Sequence, residues 1–81
     1  MRNSGGLWED RQTRDWFWIE KRGNGYFSSG WISCVEAVRI LKGRRPIPQS
    51  HREVKDIGCF DPVPEGVIEL LARAVDRLWE G

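Results

Sequence analysis

Three residues carry the side chains best suited to covalent or metal chemistry: Cys34, His51 and Cys59. Because His51 is the only histidine, a nucleophile relay would need a thiol beside it, and neither cysteine lies in a recognisable nucleophile motif. Zinc sites use Cys and His ligands in closely spaced pairs. These three are isolated, and Asp61 or water would have to supply a fourth ligand. The sequence therefore predicts no catalytic residue, no metal site and no cofactor.

The surroundings of these residues support the same interpretation. Cys34 falls on the apolar face of a predicted helix, which favours a buried, inert thiol. His51 falls in the first turn of another predicted helix, where the positive helix end disfavours protonation, and we expect it to be solvated. The glycines around Asn24 lack the spacing and the following helix of a phosphate-binding loop. A hairpin turn explains them, and we expect a protein that is not an enzyme.

The formal net charge of +1 hides a segregation along the chain. Residues 33–57 contain six basic and three acidic side chains, whereas residues 58–81 contain two basic and five acidic ones. Such a distribution could present a positive patch to a partner, although an ordinary solvated surface or the dipole of a preceding helix also accounts for it. The basic residues that we predict to bind a partner are Arg39, Lys42, Arg44, Arg45, Arg52 and Lys55.

Aromatic and β-branched residues dominate residues 15–22, which run directly into a glycine-rich turn. The pattern predicts an N-terminal β-hairpin over about 15–32, with Asn24 and Gly25 as a two-residue turn and Trp18 opposite Trp31. One face would carry Trp16, Trp18, Phe27 and Trp31, and the other would carry Phe17, Ile19, Tyr26 and Ile32. The four residues of the first face are candidates for partner contact, and core packing is the alternative for each.

Three helices are predicted after the hairpin. Ser33 and Ser50 each begin a Ser-x-x-Glu capping box, which indicates helices over about 34–42 and 51–57. Asp61 followed by two prolines indicates the start of a long helix over about 64–79. Its apolar stripe, expected to be core, is Val67, Leu70, Leu71, Ala74, Val75 and Leu78.

The sequence thus predicts a flexible tail over residues 1–6 and a single α+β domain over residues 7–81, built as a hairpin followed by three helices. No stretch approaches the roughly 18–20 apolar residues of a membrane span, and no signal peptide is visible, so we expect a cytoplasmic protein without a membrane partner. Two apolar hairpin faces and an unpaired edge leave a homodimer open.

The functional hypothesis is stoichiometric binding to an acidic protein surface or a nucleoprotein complex through the basic segment 39–55. A short chain with no catalytic constellation shares this profile with small inhibitors encoded by phages and mobile elements, anti-CRISPR proteins among them, which is an analogy of profile only. The alternative is direct DNA or RNA binding by the same segment. The low net charge and a proline-containing gap longer than a helix-turn-helix turn weigh against that alternative.

Overall fold

The computed structural model describes residues 5–80, with side chains described up to residue 77. Five strands form one antiparallel sheet in the order β4-β3-β2-β1-β5. The elements in chain order are β1 Gly6–Asp10, β2 Trp16–Arg22, β3 Gly25–Ile32, α1 Cys34–Leu41, β4 Arg52–Val54, a 3₁₀ turn Ile57–Cys59, β5 Phe60–Pro62 and α2 Glu65–Glu80. Of the predicted flexible tail, residues 1–4 lie outside the described residues. Gly6, the last residue of that tail, already belongs to β1 and pairs with Ile19 of β2.

The predicted hairpin followed by three helices is wrong, because the domain has a five-stranded sheet and two helices over the described residues. The expected helix over 51–57 is absent. Ser50 does not cap a helix, because its hydroxyl donates to a Glu20 carboxylate oxygen at 3.0 Å. The following residues, 52–54, instead pair with β3 as β4. The chain remains α+β in general.

The observed hairpin differs from the predicted one in two ways: its turn lies one residue earlier, and β3 contains a β-bulge. Gly23 and Asn24 make the turn, and the pairing shifts by one residue opposite Trp18. The extra residue in β3 places Trp31 opposite Phe17 and, next to it, Ile32 opposite Trp16. Because strand side chains alternate between faces, Trp31 and Ile32 lie on the faces opposite to those predicted.

The main core lies between the helices and one sheet face, called the helix face. Ser33 caps α1 by accepting from the Glu36 N–H at 3.2 Å. Its hydroxyl also donates to the Glu36 carboxylate, so that carboxylate bonds the hydroxyl rather than the backbone N–H expected of the capping box. The buried core residues on this face are Leu7, Trp18, Ile32, Ala37, Ile40 and Val63, with Trp16 and Ile68 packed against them.

Part of the opposite sheet face, around Phe17 and Ser28, borders the connection between the two edge strands β4 and β5. This connection, residues 55–59, is called the strap. It lies over the second face, where Phe17 and Phe60 make an edge-to-face contact with ring centroids 5.8 Å apart. Ile19 is only 2% exposed on this side of the sheet, so a second, smaller apolar layer forms beneath the strap.

Only part of the predicted apolar stripe of α2 is buried. Val75 is buried and Leu71 is half-buried, whereas Val67 and Leu70 are exposed, Leu70 at 67%. Ala74 is exposed as well, and the side chain of Leu78 lies outside those described. The predicted stripe is therefore wrong at Val67, Leu70 and Ala74, because α2 turns Ile68, on the flank of the stripe, onto the core instead. Neither described helix has the length and apolar character needed to cross a membrane.

Candidate functional site

The four aromatic residues proposed for partner contact do not form one surface. Trp18 is buried in the main core, and Trp16 packs against that core. Phe27 is half-buried, with the Arg22 guanidinium 5.2 Å from its ring centroid. Trp31 is 60% exposed on the other side of the sheet. The structure therefore leaves Trp31 as the aromatic side chain of this group with substantial free surface.

The six predicted basic residues also differ in their partners. Lys42 forms an ion pair with Asp76 that joins α1 to α2, and Arg45 lies 2.9 Å from a Glu36 carboxylate oxygen. Arg39 is half-buried on α1 and is not free of interaction partners. Of these six, the exposed residues without an ion pair to a described residue are Arg44, Arg52 and Lys55.

The basic segment is divided between two depressions with no lining residue in common. Arg45 lines one depression, beside α1 and the end of β3. Arg52 and Lys55 line the other, beneath the strap on the second face. The structure thus does not bring the segment together as one patch, because β4 carries the chain from the helix side to the strap.

The first depression, called the β3-edge groove, has a volume of about 490 Å³. Gly30, Trp31 and Ile32 of β3 form one side, and the extended loop 45–49 forms the other. Glu36 and Ile40 of α1 complete the lining. The two prolines at positions 46 and 48 keep the loop extended, so it forms a wall and does not fold into the groove.

The strand along this groove has an open outer edge. β4 pairs only with residues 26–28 of β3, so the last four residues of β3, 29–32, have no strand on their outer side among the described residues. The other edge of the sheet is better protected, because β5 is short and contains Pro62, which has no N–H to donate. Open edges present unpaired backbone groups that another strand can pair with.

Polar contacts hold side chains at both sides of this edge. The Trp31 indole N–H donates to an Asp15 carboxylate oxygen at 3.0 Å, which orients the exposed ring. Arg45 is held by Glu36 across the groove. The edge is therefore bordered by an oriented aromatic surface on one face of the sheet and by a guanidinium group on the other.

The three residues first considered for covalent or metal chemistry, Cys34, His51 and Cys59, do not come together as a metal site. The prediction that Cys34 is buried is wrong, because both cysteines are exposed. The Cys59 thiol donates to an Asp56 carboxylate oxygen at 3.5 Å. This hydrogen bond and the charge of the carboxylate raise the pKa of Cys59, which opposes formation of a reactive thiolate. His51 is exposed in an extended segment, not in a helix, with Nδ1 3.3 Å from the Gln49 carbonyl.

Within the described part of the chain, no three His, Cys, Asp or Glu side chains come together as a metal site. Comparison of the chain with protein-family models, curated proteins and solved structures finds no match.

Gly30, Ile47 and Pro48 line the groove but belong to no binding motif in the sequence. One local signal pointed to Gly30. The sequence Ser28-Ser29-Gly30 interrupts the alternation of β3, and a glycine inside a strand often marks a bulge or a close approach of another backbone. The length of β4, which decides how much of the β3 edge stays open, had no visible signal.

Proposed function

We propose that this protein acts by stoichiometric binding, and that an extended acidic segment of a partner protein pairs with the outer edge of β3 in the β3-edge groove. The observation that carries the proposal is the unpaired edge at residues 29–32 beside a groove of about 490 Å³. Addition of a strand to an exposed sheet edge is a recurring mode of peptide recognition.

The two sides of the groove would give such a strand its specificity. Side chains of an added strand alternate between the two faces of the sheet. Those on one face would meet the loop wall of residues 45–49, including Ile47, which is exposed. Those on the other would pack beside the Trp31 indole, which currently has a mostly free surface.

Charge favours an acidic segment. Arg44 has no carboxylate partner among the described residues, and Arg45 is shared with a single carboxylate, Glu36. A carboxylate on the incoming strand can accept hydrogen bonds from the Arg45 guanidinium that lines the groove, and Arg44 adds a second positive charge one residue before it. Since these side chains are exposed, the charges would set the rate and specificity of association more than the affinity. The backbone pairing and the apolar contacts at Trp31 would supply most of the affinity.

In this proposal the protein binds its partner without catalysing a reaction. Small inhibitors from phages and mobile elements act in this way, and the present chain resembles them in its small size, which is an analogy of profile only. Direct nucleic-acid binding is the competing function. Its support is the combination of an exposed Trp31 with the unpaired Arg44, since aromatic stacking and cations together bind single strands.

Fluorescence anisotropy with defined probes separates these functions. The positive probe is a labelled peptide of alternating valine and glutamate, and the matched probes are its valine-lysine counterpart and the same peptide with alternate backbone amides methylated. We expect saturable binding of the unmethylated valine-glutamate peptide and of neither matched probe. The methylated peptide should not bind, because methylation removes the backbone donors that strand pairing needs. Equal binding of the methylated peptide would contradict strand addition. Stronger binding of a labelled single-stranded oligonucleotide, with a steep salt dependence, would favour the competing function.

Charge reversal tests the location of the site. Arg44→Glu combined with Arg45→Glu should weaken binding of the valine-glutamate peptide by about three- to tenfold, mainly through slower association, since attraction at two exposed positions becomes repulsion. Arg73→Glu combined with Arg77→Glu, an identical charge change at exposed positions of α2, is the control and should leave affinity unchanged. Equal losses in the two double variants would show that only net charge matters and would refute a site in the groove.

A further inference from the structure

The second depression lies beneath the strap and is called the strap cleft. Its volume is about 360 Å³. The lining residues that matter most are Phe17, Ser28, Arg52, Lys55 and Phe60. We infer that the strap cleft binds a small aromatic carboxylate, with the ring against the two phenylalanines and the carboxylate at Ser28 and Arg52. This inference is independent of the strand-addition function.

Ser28 is the residue that points to a ligand. The residue is only 7% exposed, and its hydroxyl makes no side-chain hydrogen bond to a described residue, but the oxygen is open to the cleft, because the enclosed side-chain polar atom without a partner among the described residues is Trp18 Nε1. The other two buried serines differ, since Ser29 bonds Trp18 and Gly30, and Ser50 bonds Glu20. A hydroxyl that lines the cleft and is free of protein partners can hydrogen-bond a polar atom of a bound molecule.

The apolar part of the cleft suits a flat ring. Phe17 and Phe60 meet edge to face, with an interplanar angle of 86° and centroids 5.8 Å apart, so they form a corner. A ring placed in this corner could stack on one phenylalanine and approach the other by its edge, both favourable aromatic geometries. The cleft volume is near the lower end of the range for small-molecule sites, roughly 300–1,000 Å³, which limits the ligand to a small molecule.

The charges at the mouth select a carboxylate. Arg52 is the direct strand partner of Ser28, so both side chains lie on the same face of the sheet. Neither Arg52 nor Lys55 forms an ion pair with a described residue. The carboxylate of Asp56 is engaged, because one oxygen accepts from the Gly58 N–H at 2.9 Å and the other from the Cys59 thiol.

Glu53 does not change this balance. It lies between Arg52 and Val54 on β4 and pairs with Phe27, so strand alternation directs its side chain toward the helix face, although the residue borders the cleft. A ligand carboxylate could then accept from the Ser28 hydroxyl and the Arg52 guanidinium, with the hydrogen-bonded Asp56 carboxylate as an opposing charge elsewhere in the lining. Charge-assisted hydrogen bonds of this kind are the stronger ones.

An NMR titration of the full chain with benzoate tests the inference, with benzamide and acetate as matched probes. We expect saturable shifts of backbone amides in β4 and the strap with benzoate. Benzamide, which lacks the charge, and acetate, which lacks the ring, should each bind about tenfold more weakly or not at all. Equal binding of benzoate and benzamide would overturn the role of Arg52, and the absence of saturable shifts would overturn the site.

Two variants locate the binding. Ser28→Ala and Arg52→Gln should each weaken benzoate by about tenfold, because each removes one hydrogen-bond donor to the carboxylate. Arg44→Gln, an exposed position outside the cleft lining, is the control and should bind as the wild type does. Because Arg52 is exposed, its variant should fold even if Ser28→Ala does not. Unchanged affinity of Arg52→Gln for benzoate would refute the inference. This result does not depend on whether a peptide binds in the β3-edge groove.

Discussion

Ser28 and Ser29 are adjacent buried serines with opposite hydrogen-bonding states, and their alanine variants should have opposite effects on stability. The Ser29 hydroxyl sits at the β-bulge, where it accepts from the Trp18 backbone N–H at 3.0 Å and donates to the Gly30 carbonyl at 2.8 Å. It is 1% exposed. The side chain thus replaces the strand-to-strand hydrogen bond that the bulge interrupts.

Removal of this hydroxyl leaves the Trp18 N–H buried without an acceptor. An unsatisfied buried donor costs about 1–3 kcal/mol, so Ser29→Ala should lower the free energy of unfolding by about 2 kcal/mol. For a domain of this length, each kcal/mol corresponds to roughly 4–8 °C in Tm, which gives a fall of about 8–16 °C. Ser28→Ala removes a hydroxyl with no partner, so it should change stability by less than about 0.5 kcal/mol.

Chemical denaturation monitored by tryptophan fluorescence measures both variants. We expect the midpoint to fall in Ser29→Ala with an unchanged slope, and to stay near the wild type in Ser28→Ala. Equal destabilisation by the two variants, or a larger loss in Ser28→Ala, would refute the assignment of hydrogen bonds at the bulge. It would also remove the argument that the Ser28 hydroxyl awaits a ligand.

Two further predictions concern positions outside the bulge. In Gly5→Ala the new Cβ would overlap the buried Trp18 indole, so stability should fall by about 1–3 kcal/mol, whereas Gly66→Ala, with no heavy atom within 4 Å, should leave the denaturation midpoint unchanged or raise it. Equal midpoints for both glycine variants would contradict the packing around Trp18. The raised pKa of Cys59 lowers its thiolate fraction at a given pH, so Asp56→Asn should speed alkylation of Cys59 at mildly alkaline pH. Thiol-probe kinetics in a Cys34→Ser background measure this, and an unchanged or slower rate would argue against the Asp56 contact.

Local signals in the sequence were sufficient for several elements. The capping box at Ser33 and the aromatic run after Asp15 coincide with the observed α1 and β2. The capping box at Ser50 did not yield a helix, because capping is a local preference that competes with partners elsewhere in the fold. In this protein Glu20, thirty positions away, bonds the Ser50 hydroxyl, and β3 offers residues 52–54 a strand edge.

The candidate sites depended on features without a local signature. A single bulge residue moved Trp31 from the predicted aromatic face to the opposite one, since every side chain beyond a register shift changes face. The basic segment was visible as composition, but its division between two depressions follows from β4, which no periodicity indicated. The unpaired state of Ser28 is a property of its tertiary surroundings alone.

Hydrogen–deuterium exchange of the backbone amides at residues 29–32, with and without saturating valine-glutamate peptide, tests strand addition most directly. Strand pairing must place an acceptor on at least one of these amides, so the account predicts slower exchange there and little change in α2. Saturable binding of the peptide with unaltered exchange throughout residues 29–32 would show that the β3 edge is not the docking site.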